Sequence, residues 1–339
     1  MSEAAGHLKA LFARADLSAG DMDVAIGAIM DGEWTPAQAG AFLGALATKG
    51  ETADELIGAA HAMRGRSLRV EHGLGTVVDV CGTGGDGAGT INVSTCAGIV
   101  LAACGVAVAK HGNRAASSRS GSADVLEALD VRIDEPPDDA RARLESGRFA
   151  FLFAQHYHPA MKAVAPVRRE LRARTVFNLL GPLTNPARAT HQLIGVANAA
   201  HVELVGTALC GLGARAGAVV HAASGIDEVA GDAPTDVYQF GRGEVRRYRI
   251  DPAEHGISAP PGALAGGDPA DNAAALLAIL QGERSPRADV IALNVALALV
   301  VAEHAASLAE GLAAARVRMR DGSALAVLET LRRPAALAA

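Results

Sequence analysis

Between Val77 and Leu129 the chain twice sets out a short apolar run that stops in a polar loop. Val77-Val78-Asp79-Val80 breaks into Cys81-Gly82-Thr83-Gly84-Gly85-Asp86-Gly87-Ala88-Gly89-Thr90 and continues as Ile91-Asn92-Val93-Ser94-Thr95. Val106 to Ala109 ends in Lys110-His111-Gly112-Asn113-Arg114, followed by Ser117-Ser118-Arg119-Ser120-Gly121-Ser122. Runs of this length bounded by turn residues read as buried strands, so two strands deliver two polar loops to one edge of a sheet. Residues without a side chain let successive backbone N–H groups converge on an anion, which makes the first loop an anion cradle. The second loop adds fixed positive charge from Lys110, Arg114 and Arg119, and hydroxyl donors, the combination a polyphosphate requires.

The rest of the chain reads as scaffold around this stretch. The first ~70 residues are expected to be helical. Thr35-Pro36 is an N-cap with proline at the first helical position, opening a helix that carries Phe42, Leu43 and Leu46 and stops at Gly50. Thr52-Ala53-Asp54-Glu55 has capping-box form, and an earlier helix covers Met22 to Met30. From Val77 onward strands and helices alternate, which predicts an α/β fold with a central, mainly parallel sheet flanked by helices. Strands are expected at Phe149–Ala154, His191–Val196 and Gly217–His221, and a hairpin at Tyr238–Ile250 around Gly241-Arg242-Gly243. Phe177 to Pro186 reads as a turn-rich segment, and Pro269 to Leu331 as an alanine-rich helical layer over a sheet face. The expected division is a small helical domain over residues 1–70, joined by helices from about 160–187, and a larger α/β domain over 73–339.

At 339 residues and 50% hydrophobic content the chain can bury a large core. No run reaches the ~18 charge-free apolar residues of a membrane span, and Met1-Ser2-Glu3-Ala4 lacks the pattern of a signal peptide, so a cytoplasmic location is expected. A net charge of −6 without a basic tail argues against nucleic acid as a partner, as does an aromatic content of 3%. Cys81, Cys96, Cys104 and Cys210 show neither paired spacing nor a histidine at zinc spacing and read as reduced core thiols. Arg141, Arg143 and Arg148 read as a solvated helix face.

Two nucleotide-binding patterns come close to the glycine loop. Gly82-x-Gly84-x-x-Gly87 matches the dinucleotide fingerprint, but that fingerprint wants an acidic residue ~20 positions on at the next strand end, where Lys110 stands. A Walker loop needs lysine immediately after Gly87, where Ala88 stands. What remains is a cradle holding Asp86, with Asn92, Ser94 and Thr95 near a helix N-terminus whose dipole favours an anion. Such a mix suits a ligand bearing both phosphates and sugar hydroxyls.

Cys-Gly-Thr-Gly-Gly-Asp, Asn-Val-Ser-Thr, Lys-His-Gly-Asn-Arg and Ser-Gly-Ser-Ala-Asp-Val-Leu-Glu-Ala-Leu, in this order and spacing, resemble the anthranilate phosphoribosyltransferase family of tryptophan biosynthesis. The likeness extends to Tyr157-His158-Pro159-Ala160-Met161, to the segment from Asn178 to Pro186, and to Gly225-Ile226-Asp227-Glu228. It implies transfer of the 5-phosphoribosyl group from 5-phosphoribosyl 1-diphosphate to the amine of anthranilate, with Mg²⁺, two ions accompanying the donor diphosphate, and a homodimer joined through the N-terminal helices. By motif position the donor site is then Gly82, Gly85, Asp86, Thr90, Asn92, Val93, Ser94 and Thr95, with Lys110, His111, Gly112, Asn113, Arg114, Ala115, Ala116, Ser117, Ser118 and Ser122. The implied metal ligands are Ser94, Asp227 and Glu228, hard oxygen donors suited to Mg²⁺. Implied anthranilate contacts are Gly82, Asn113 and Arg168, with His111, Tyr157, Gly181 and Pro182 nearby. Arg168, assigned by its offset from His-Pro-Ala-Met, suits a planar carboxylate because its guanidinium can pair with both oxygens.

An aryl amine is largely neutral at pH 7, so no essential acid or base is expected. A lesser alternative for His111 is a structural imidazole bonded to a loop carbonyl. Departures from the family pattern are Ala115-Ala116, Ala222-Ala223, and Asp130 where glycine is usual. Two rival readings are a pyrimidine nucleoside phosphorylase and a non-catalytic relative that binds nucleic acid. The Lys-His-Gly-Asn-Arg and Gly-Pro-Leu-Thr-Asn-Pro elements argue against the first; the acidic net charge and intact loop argue against the second.

Overall fold

The structure, a computed structural model, describes residues 3–115 and 118–333. Four helices open the chain: Glu3–Phe12 (α1), Ala19–Met30 (α2), Pro36–Lys49 (α3) and Ala53–Gly65 (α4). Ser18, Thr35 and Thr52 close capping boxes with Asp21, Gln38 and Glu55, each cap being worth about 1 kcal/mol. The Ser18 cap starts α2 three residues earlier than the apolar periodicity indicates. Glu55 is fully buried, and its carboxylate also accepts from Leu17 N and Lys49 Nζ, both at 2.9 Å, tying α4 to α3 and the α1–α2 loop.

Seven strands form one sheet: Val77–Gly82 (β1), Ala107–Gly112 (β2), Phe149–Phe153 (β3), His191–Gly195 (β4), Ala216–Ala222 (β5), Thr235–Gly241 (β6) and Glu244–Ile250 (β7). The order is β3-β2-β1-β4-β5-β6-β7; the first five strands are parallel, while β6 and β7 add antiparallel as the expected hairpin. The parallel strands are buried along nearly their whole length, which is why they read as continuous apolar runs. The remaining helices are Val93–Ala103 (α5), Ser122–Ala128 (α6), Pro137–Gly147 (α7), Ala154–Tyr157 (α8), Met161–Leu171 (α9), Phe177–Leu183 (α10), His201–Gly211 (α11), Pro269–Leu280 (α12), Pro286–Val301 (α13), Leu308–Arg320 (α14) and Ser323–Leu331 (α15).

Alternation along the strands sends side chains to two separate cores. Val78, Val80 and Val108 pack with α5, α6 and α12 to α15 on one face. Cys81, Ile194 and Val219 pack on the other with α2 to α4 and α9 to α11, so the helical bundle and that sheet face share one core. From β1 the strand order runs outward one way to β2 and β3; β4 and β5 lie the other way. The crevice beyond the carboxyl ends of β1 and β4 is therefore the switch point at which open α/β sheets bind ligands. The two edges of the sheet are protected differently. β3 is buried throughout beneath α7, whereas β7 is exposed and carries Arg246, Arg247 and Arg249, each paired with a carboxylate. Among the described residues no helix is long and apolar enough to cross a membrane.

Three readings from sequence change. Phe177 to Leu183 is helical and not a turn; Pro182 sits in its last turn, where Thr184 N bonds Gly181 O and the helix is already ending. Arg143 is buried: it faces inward beside Ala140 and Leu144, pairs with Glu135 at 2.6 Å and donates to the Thr330 and Arg333 carbonyls, joining α7 to the end of α15. Cys210 is exposed on α11, although Cys81 and Cys96 are buried. Asp130 takes the left-handed conformation, φ 61°, that glycine usually fills, and the turn after α6 is kept.

Candidate active site

The glycine loop leaves β1 and returns as α5. Gly84, Gly85, Gly87 and Gly89 all have positive φ, so the loop conformation itself demands glycine. Gly82 and Gly195, at the ends of β1 and β4, are needed for a different reason: a Cβ at either would collide with Asp227. Two bare strand ends thus let the β5–β6 loop, which carries Asp227 and Glu228, close onto the crevice. Asn294 of α13, fully buried, pins the end of that loop by accepting from Val229 N and donating to Val229 O.

Asp227 Oδ2 accepts from Gly84 N at 2.8 Å, and Glu228 Oε1 accepts from Ser94 N at 3.2 Å at the start of α5. Lys110, fully buried at the end of β2, donates to Val80 O at 2.6 Å and to Ser94 Oγ at 3.1 Å. Burial lowers the Lys110 pKa against the pull of Asp79, Glu228 and Asp227. Burial, reinforced by the neighbouring Asp86, lifts Asp227 to about 6, and burial with the Asp227 charge raises Glu228 as well. Crowded carboxylates that hold protons this firmly are a place where a hard cation would relieve repulsion. Among the described residues no three His, Cys, Asp or Glu side chains enclose a metal on their own. That suits Mg²⁺, which takes one or two protein carboxylates and completes its shell from water and substrate phosphates.

Asn92 acts inside the protein: its amide donates to Ser120 O and accepts from Ser120 Oγ and Asn272 Nδ2, joining both loops to α12. Ser122 Oγ exchanges bonds with Asn113 N and O, next to Gly112, where a Cβ would meet it. Ser118 Oγ donates to Ser120 O. Thr95 is fully buried and its Oγ1 has no partner. Thr90 bridges to Ala265, fixing the end of the glycine loop, and Val93 begins α5. The Arg114 guanidinium is held by Glu127 and Asp124, and Ala115 N donates to Asp124. Ala116 and Ser117 lie outside the described residues.

His111 points to the opposite face of the sheet from Lys110. Its backbone N donates to the buried Asp79, which also accepts from Asn185 Nδ2 at 2.7 Å. Its Nδ1 lies 2.8 Å from Gly181 O on α10, and the neighbouring Pro182 carbonyl accepts from Gln192. Arg168, in the last turn of α9, stacks over Phe177 at the start of the same α10. It is partly buried, burial lowers its pKa, and no carboxylate among the described residues is bonded to it. Tyr157 does not join these groups: its ring is fully buried and its hydroxyl donates to Glu135 O. Two contributors were not anticipated. Arg174, between α9 and α10, donates to the Gly85 carbonyl, and His158 contacts His111.

Against this geometry, comparison with known proteins is decisive. The helical bundle domain of the glycosyl transferase family matches residues 6–67, and the a/b domain of that family matches residues 74–325. An anthranilate phosphoribosyltransferase from Methylobacterium radiotolerans is 52% identical over 305 residues, 89% of this chain and 88% of the relative. The chain belongs to the anthranilate phosphoribosyltransferase family. A crystal structure of the anthranilate phosphoribosyltransferase of Thermus thermophilus superposes with a TM-score of 0.91 at 43% identity, covering 96% of this chain and 98% of that one. That of Saccharomyces cerevisiae, in complex with PRPP and Mg, superposes with a TM-score of 0.90 at 26% identity, covering 97% and 96%. The helical bundle and mainly parallel sheet are thus the architecture of anthranilate phosphoribosyltransferases.

Proposed function

We propose that this chain transfers the 5-phosphoribosyl group from 5-phosphoribosyl 1-diphosphate to the amine of anthranilate, giving N-(5-phosphoribosyl)anthranilate and diphosphate, as in tryptophan biosynthesis. The observation that carries the reading is a pair of opposite chemistries reached from the end of β2. On one face is a carboxylate-lined glycine loop with the buried Lys110; on the other is His111 bonded to α10, whose Phe177 packs against Arg168, half-buried and without an acidic partner among the described residues.

The donor side is taken to be the glycine loop from Gly82 to Thr95 with Lys110 and the loop through Ser122. Ser94, Asp227 and Glu228 would hold Mg²⁺, and we expect two ions with the diphosphate. Bound there, Mg²⁺ neutralises charge on the diphosphate and orients it. Lys110 places a fixed cation beside the same oxygens, and the glycine N–H groups and the α5 N-terminus add donors that need no reorganisation as the leaving group develops charge. On the acceptor side Arg168 pairs with the anthranilate carboxylate, while Asn113, His111 and the Gly181-Pro182 segment border the ring. The amine nitrogen forms its bond to C1 as the C1–O bond breaks; diphosphate leaves with the bonding pair, and the surplus amine proton passes to solvent or diphosphate. The amine attacks in its neutral form, so no side chain is assigned as general base. Holding the two reactants in register supplies most of the rest.

We further take residues 1–70 with α9 and α10 as one domain and 73–339 as the donor-binding domain of a cytoplasmic homodimer. Phe12 and Val24, large apolar side chains left exposed on α1 and α2, support a partner there. Loss of anthranilate fluorescence that requires both the ribosyl donor and Mg²⁺ is the expected result; consumption of a nucleoside by phosphate instead would overturn the assignment.

A further inference from the structure

His111 and His158 lie against each other beneath the acceptor side, 5% and 2% exposed, with their Nε2 atoms 3.2 Å apart. A hydrogen bond between two such nitrogens needs one proton, and the surroundings say where it belongs. Gly181 O, 2.8 Å from His111 Nδ1, can only accept, so His111 carries its proton on Nδ1 and offers a lone pair at Nε2. His158 must then donate Nε2–H. Its Nδ1 is left bare, and that atom is buried without a hydrogen-bond partner. An orphaned N–H there would cost more than an empty acceptor position, so this arrangement satisfies the pair with the least penalty.

Both rings are neutral. Burial lowers His111, and Lys110 opposes Asp79, which pulls it the other way. Burial and the His111 ring hold His158 down to about 3, with the Thr184 backbone pulling against them.

We propose that His158 is a positioning residue for the acceptor site: by donating to His111 Nε2 it locks His111 as the Nδ1–H tautomer with both ring nitrogens engaged, so that His111 meets the substrate with its ring and not with a nitrogen. The inference rests on the acceptor site assigned above. Three anchors then fix one imidazole: Asp79 of β1 through the backbone, Gly181 of α10 through Nδ1, and His158 at the end of α8 through Nε2. The Gly181-Pro182 segment is thereby held at a set distance from the strand end that carries Lys110. His111 has no nitrogen left to abstract a proton, which agrees with an amine that attacks neutral.

The test combines spectroscopy with kinetics. Long-range ¹H–¹⁵N correlation on the wild-type protein labelled with ¹⁵N-histidine, assigned by the signal lost in H111Q, should show Nδ1 protonated and Nε2 unprotonated on His111. H158F keeps the ring and loses the donor; its KM for anthranilate should rise about tenfold with kcat and the KM for the ribosyl donor nearly unchanged. H158Q, whose amide can donate from a similar place, should recover most of the loss. A protonated or proton-sharing His111 Nε2, an unmoved KM in H158F, or equal damage from H158Q would each overturn the proposal. Should H158F fail to fold, the wild-type spectrum still decides. If the wild-type protein does not consume anthranilate, the assigned function falls while the tautomer is read independently.

Discussion

Lys110 and His111 are consecutive residues at the end of β2, yet they belong to different halves of the site. The two-residue period of a strand sends Lys110 toward α5, Ser94 and the acidic loop, and His111 toward α10 and His158. The halves are built on opposite plans. Around Lys110 like charges are crowded: Asp227, Glu228 and Asp86 stand beside a glycine backbone, and the proton affinities of Asp227 and Glu228 are raised. Around His111 both ring nitrogens are engaged within the protein. The first half is incomplete until charged ligands arrive; in the second the imidazole is already fixed and Arg168 alone waits for a charged partner. The contrast suits a leaving group whose charge must be stabilised and an acceptor that need only be placed.

If the contrast is real, damage to the halves should differ in kind. Replacing both Asp227 and Glu228 by alanine is expected to lower kcat by about 10³-fold or more. Anthranilate binding, followed by its fluorescence, should hardly move; a rate within tenfold of wild type would show that the acidic half is dispensable. Next in size, R168A should raise the KM for anthranilate roughly 10- to 100-fold through loss of a charge-assisted bidentate pair, leaving the KM for the ribosyl donor alone. R168K should restore only part, since ammonium cannot reproduce the fork. The smallest effect concerns pH. Asp227 titrates near 6, above the ordinary range of a carboxyl, so the proton competes with the cation as pH falls through that value. Apparent Mg²⁺ affinity in the presence of the donor should therefore fall about tenfold between about pH 7 and pH 5. A flat titration would mean that Asp227 is already ionised throughout.

What could be read from the sequence follows the same divide. The donor half is local: glycines, Asp86, Ser94 and Lys110 stand within two strand–loop units, and their type announces their chemistry. The sheet followed from alternation and the capped helices from Thr35 and Thr52. The His111–His158 and Arg174–Gly85 bonds join residues far apart in sequence, and no single-position signal marks them. Arg143 misled because spacing alone does not tell which face of a short helix turns inward; only the burial of Glu135 beside it does. In α10, Gly181-Pro182 is a turn signal in the chain and a helix end in the fold, because tertiary packing of Leu179, Leu180 and Leu183 outweighs local propensity.

The two edges of the sheet bear on how the protein behaves when many copies are crowded together. An edge strand is a template for another strand, and a long parallel sheet forms slowly enough for such templates to be exposed during folding. β3 is the hazardous edge, an apolar run covered only after α5 has packed on Phe149 and α7 on Ala150 and Leu152; β7 carries its protection with it, exposed ion-paired arginines that disfavour burial against an incoming strand. Aggregation during refolding should therefore begin at the β3 end, and a lesion that loosens α7, such as loss of Arg143, would show itself first as insolubility and only later as lost activity.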